Sequence, residues 1–136
     1  MRQLTTHIFG LFILTLLLTG CSIDININDY IDKNAPLKLT IKKTDNSTGL
    51  TIADNFEIAV GSDKYKKLIQ WGNENTDGWQ QTPASYNPNI FVGQGKFRLL
   101  GFANGNGVVI RFTDKDGKPR QYTKTITQGE LDFLTQ

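Results

Sequence analysis

The sequence predicts an all-β domain: a small antiparallel β-sandwich of immunoglobulin-like or transthyretin-like build, or a small barrel. Three observations lead there. Apolar residues alternate with polar ones in short runs, turn-forming residues separate those runs, and no run of ten or more has a helical period. Roughly six to eight such strands in about 100 residues suit either architecture.

The elements follow in chain order. "LKLTIKK" places Leu37, Leu39 and Ile41 on one face, and "DNSTG" turns the chain. Leu50 and Ile52 precede "DN", after which Phe56, Ile58 and Val60 alternate again. "KYKKLIQW" alternates as Tyr65, Lys67, Ile69 and Trp71 and reads as a strand, with a short helix capped by Ser62 or Asp63 as the alternative. The C-terminal third, "KFRLLGFA", "VVIRFT" and "PRQYTKTIT", makes a three-stranded meander. Its turns are Asn104-Gly105 and Asp116-Gly117, whose glycines supply the positive φ of tight hairpins.

The N-terminus reads differently. Arg2 precedes an apolar core from Ile8 to Leu18, eleven residues that are too few to span a hydrocarbon layer of ~30 Å. A secretory signal has that layout. Leu18-Thr19-Gly20-Cys21 then resembles the lipobox of bacterial lipoprotein precursors. The resemblance covers Met1 to Ser22 and implies cleavage before Cys21, a diacylglycerol on its thiol and an acylated amine. Such an anchor far exceeds one myristoyl chain in membrane affinity. Ser22, where Asp would mark inner-membrane retention, implies the outer membrane facing the periplasm. The expected layout is a signal peptide at 1–20, a lipidated tether at 21–36 and one β domain at 37–136, the tether's Ile23, Ile25 and Ile27 alternating like an edge strand.

Processing narrows the chemistry. It leaves 116 residues with 14 Lys+Arg against 13 Asp+Glu, a net charge of +1, which lacks the basic excess nucleic-acid binding needs. The only histidine, His7, leaves with the signal, and the only cysteine is acylated. Histidine-based triads, thiol nucleophiles and His/Cys zinc sites all lose their residues. Paired carboxylates remain on paper, but a domain this small has little room for a deep cleft. The expectation is a non-catalytic protein with no cofactor or metal beyond its lipid.

"DKDG" (114–117) breaks the calcium-loop spacing, and "GQGK" (93–96) lacks both ends of a phosphate loop. Both read as turns. The functional candidate is "WGNENTDGWQQTPASYNPNIF", 71–91, a loop of about eighteen residues between strand-like runs, longer than compact domains usually carry. Trp71, Asn75, Asp77, Trp79, Gln80 and Tyr86 supply aromatic anchors with a polar rim, as protein interfaces do. The expected partner is a periplasmic protein: a component of an envelope assembly, or a toxin or hydrolase met by an immunity factor or inhibitor. The alternative is a glycan such as peptidoglycan, stacked on the same rings. Trp71 and Trp79 have a competing role as plugs at the end of the core.

Overall fold

The structure is a computed structural model that describes residues 21–136. The signal segment and lipobox residues Leu18, Thr19 and Gly20 lie outside the described residues.

Seven antiparallel strands form one sheet: β1 (Leu37–Thr44), β2 (Thr51–Ile58), β3 (Gln80–Gln81), β4 (Ile90–Gln94), β5 (Phe97–Gly101), β6 (Gly107–Thr113) and β7 (Pro119–Thr125). Their order is β2-β1-β4-β5-β6-β7-β3. The mostly β class and the C-terminal meander are as the sequence predicts. Among the described residues all strands share this sheet, and the layer facing it comes from one helix, α1 (Asp63–Glu74), with residues 25–31 and 126–134.

Alternation sorts each strand's residues between the two faces. Leu37, Leu39, Ile41, Ile90, Val92, Leu99 and Ile110 point to the core beneath α1. The other face carries Lys38, Thr40, Lys42, Phe91, Arg98, Arg111 and Gln121. There Leu100 and Val109 are buried too. The 82–89 stretch crosses this face from β3 to β4, held by Gln121 Nε2, which donates to the carbonyls of Thr82 (3.0 Å) and Ala84 (2.8 Å).

Helix α1 replaces the strand expected at "KYKKLIQW". Ser62 caps it, its hydroxyl accepting from the Tyr65 N–H at 3.2 Å, which is the alternative reading of that run. Tyr65 and Trp71 fit a period of two as well as a helical one, so they misled. Leu68 decides the matter, because only a helix buries Tyr65, Leu68, Trp71 and Gly72 on one side.

The tether is also corrected. Ile25, Ile27 and Ile31 are core residues, so the packed domain begins well before residue 37. Ile23 forms an antiparallel bridge with Trp79, and the Ile25 N–H donates to the Thr76 carbonyl at 2.7 Å. Residues Ile27–Tyr30 form a 3-10 turn. Its buried Asn28 donates to the Ile69 carbonyl (2.8 Å) and Asn73 Oδ1 (2.9 Å). Gly72 permits this approach, since a Cβ there would lie 2.6 Å from Ile27 Cγ1.

Gly117 takes the positive φ expected of it, +77°, whereas Gly105 does not. Gly105 answers to space: a Cβ there would stand 2.8 Å from Phe102 Cβ. In the "DKDG" turn Asp114 accepts from the N–H groups of Asp116 and Lys118 and from Arg120 Nε. The turn's own donors thus occupy that carboxylate.

Candidate functional site

The 71–91 stretch divides into four parts. Residues up to Glu74 complete α1, 75–79 fold back onto the N-terminal segment, 80–81 are β3, and 82–89 cross the sheet.

Both tryptophans are plugs. Trp79 is 0% exposed and Trp71 5% exposed, so neither offers a ring face to a partner or a sugar. Their ring N–H groups are satisfied inside a relay. Trp79 Nε1 donates to the Asn75 carbonyl at 2.9 Å, Asn75 Nδ2 to the Trp71 carbonyl at 3.1 Å, and Trp71 Nε1 to Glu130 Oε1 at 2.7 Å. Burial pushes the Glu130 carboxyl up, but the Thr127 N–H, Trp71 and Asn75 outweigh it and hold the group below its ordinary range. Glu130 is a structural acid that orients an indole, and its part was not visible in the sequence because 59 residues separate it from Trp71.

The remaining predicted residues stay at the surface without converging. Asp77 is exposed and accepts from Lys124 Nζ at 3.1 Å. That hydrogen bond and the ammonium charge lower its pKa. Gln80 is exposed on β3 opposite Thr123. Tyr86 is half-buried, its hydroxyl 2.8 Å from Thr82 Oγ1 and its ring tilted against Phe102. Asp77, Gln80 and Tyr86 thus form no aromatic platform with the tryptophans.

No family model, curated protein or solved structure matches this chain.

The surface with the clearest binding chemistry is elsewhere, along β2. Leu50 is 65% exposed, Ile52 60% and Phe56 51%, and of the strand's own residues only Ile58 is buried. Register explains this. Ile52 and Phe56 lie opposite Lys43 and Leu39 and so face the core side, but the layer built on α1 does not extend over them.

The strand's backbone is also open. Asp45 N–H bonds the Leu50 carbonyl, which sets the alternation of the β1–β2 ladder. Ile52, Asp54, Phe56 and Ile58 therefore bond inward to β1, while the N–H and C=O groups of Thr51, Ala53, Asn55 and Glu57 point outward. At the other end of the sheet β3 has two residues, and the Ile23–Trp79 bridge lies beside it. One edge is closed and the other is a template for another strand.

Proposed function

We propose that this chain is a lipid-anchored, non-catalytic binding module of the bacterial envelope that receives an extended strand of a protein partner along β2. The observation that carries this reading is the eight-residue unpaired edge with Ile52 and Phe56 uncovered on one face. Strand addition uses the open backbone groups for affinity and alternate side chains for choice.

The partner's chemistry follows from the edge. Asp54 and Glu57 are the strand's only charges, and Asp54 is engaged by Lys43 at 3.5 Å. The incoming strand carries apolar residues beside Ile52 and Phe56 and a cation near Glu57. A second copy fits poorly: the two-fold register pairing Ile52 with Phe56 sets Asp54 directly against its counterpart, and like charges facing across strands are destabilising.

The anchor position favours the same edge. Ser22 alone separates Cys21 from Ile23, whose N–H donates to the Trp79 carbonyl at 2.8 Å. A lipid on Cys21 would hold the β3 end at the bilayer. β2 lies six strand spacings away, roughly 29 Å at ~4.8 Å each. The sticky edge is then the end farthest from the anchor.

The test is a photo-crosslinking residue at Asn55 or at Gln80, activated in intact cells of the source bacterium. The expected result is a heterologous protein adduct from position 55 and none from position 80. An adduct only with the chain itself, or equal adducts from both positions, would overturn the proposal.

A further inference from the structure

The face opposite α1 holds a second feature with its own chemistry. Lys38, Gly93, Arg98 and Arg111 stand in one row across β1, β4, β5 and β6. Thr40 and Phe91 form the next row, and Lys42 follows Thr40 along β1. Where Gly93 falls, the row has no side chain, and a groove of about 530 Å³ opens there. Pro36, Lys38, Lys42, Phe91 and Arg98 are among its walls, and its lining contains no Asp or Glu.

Glycine in a strand interior often marks close approach by another group. Gly93 has no positive φ, so backbone conformation does not demand it. Space does: a Cβ would meet Arg98 Cδ at 3.0 Å, Nη1 at 3.2 Å and Nε at 3.3 Å. The arginine stem leans over the gap, and Nη1 is pinned by the carbonyls of Gly95 (2.7 Å) and Phe97 (2.6 Å). Lys42 Nζ sits 4.6 Å from the centre of the Phe91 ring. Among the described residues none of Lys38, Lys42 and Arg98 forms an ion pair. Glu57 lies across from Lys38 on β2 without bonding it.

Exposed lysines on a strand are commonplace. What distinguishes these is a shared dent, a fixed guanidinium and no countercharge in the lining. Lys38 and Lys42 are four residues apart, about 13 Å along the strand, and Arg98 is two strands from Lys38, about 10 Å. That spread of positive charge suits a ligand with more than one oxyanion group. The volume falls within the range of small-molecule sites.

We infer that this groove binds a soluble, sugar-sized ester carrying two phosphate groups, with Arg98 as the oriented fork and Lys38 and Lys42 as mobile charges. A lipid headgroup is the poorer source. β4 lies four strand spacings, roughly 19 Å, from the β3 end where the chain leaves toward Cys21.

The test titrates inorganic pyrophosphate into the ¹⁵N-labelled full chain in a non-ionic detergent. Amide shifts are expected at Lys38, Phe91, Gly93 and Arg98, surviving sodium chloride at matched ionic strength. Lys38→Gln with Lys42→Gln should weaken binding about tenfold or more, and Arg98→Lys should weaken it although charge is kept. Thermal melting of the lysine variant should match the parent. Shifts that chloride reproduces, or that persist undiminished in the double variant, would overturn the site. Shifts produced by phosphatidylglycerol vesicles but not by pyrophosphate or a sugar bisphosphate would overturn the soluble ligand.

Discussion

The two edges of the sheet are built on opposite terms. At the β3 end a strand of two residues is enough, because the Ile23–Trp79 bridge lies beside it and the Asn75, Trp71 and Glu130 relay braces it. At the β2 end eight residues run with their outer backbone bare and apolar side chains in water. Natural sheets guard long edges with charge, proline or cover. Here the guard is a single pair of acids, which makes the bare edge the informative one.

Breaking the closed edge should have the largest effect. Trp79→Ala removes a fully enclosed ring and should cost about 3–5 kcal/mol in urea unfolding, given the usual range for such truncations. Next, Gly72→Ala drives a methyl into Ile27 and should cost about 1–3 kcal/mol by the same measurement.

Glu130→Gln removes the charge from the Trp71 bond and should cost about 1 kcal/mol at neutral pH. Its pH dependence sharpens the point. The folded carboxyl titrates below its ordinary value of 4.5, so its contribution is complete above that value and is lost as pH falls through the folded pKa. The parent's stability should therefore fall in that acid window, and the variant's should fall less, as followed by Trp fluorescence.

The smallest effect on stability belongs to the open edge. Ile52→Thr with Phe56→Thr changes only exposed side chains, so unfolding should move by no more than about 0.5 kcal/mol per site. The same double variant should lose the crosslinked partner band at position 55. A large loss of stability there would mean that the edge is packed after all.

The difference between the edges also sets what was legible in the sequence. Alternation in "LKLTIKK" and "VVIRFT" gives real strands with the right faces, because burial on one side leaves a period of two. The apolar pairs on either side of "DN" belong to a single strand, Thr51–Ile58, that runs through it and leaves out Leu50 and Val60, and its apolar face is mostly uncovered, since a one-dimensional pattern does not reveal which strand ends the sheet. Ile25 and Ile27 read as tether because they meet residues more than forty positions later, Ile27 against Gly72 and the Ile25 N–H on the Thr76 carbonyl. Of the candidate residues, Trp71 and Trp79 took the plugging role, a choice fixed by hydrogen-bond partners as distant as Glu130. The cationic groove needs the register of three strands and was not visible at all.

The stitching of the N-terminal segment has a consequence in time. Asn28 finds its partners 41 and 45 residues downstream, and Ile23 waits for Trp79. A chain emerging from its first residue onward carries Ile25, Ile27 and Ile31 with nothing to close on until α1 and Trp79 have been synthesised. Contacts of such long range form late, because loop closure precedes any gain from packing. Residues 23–31 are thus made early and settle late, after local pairs such as β1 with β2 can already close.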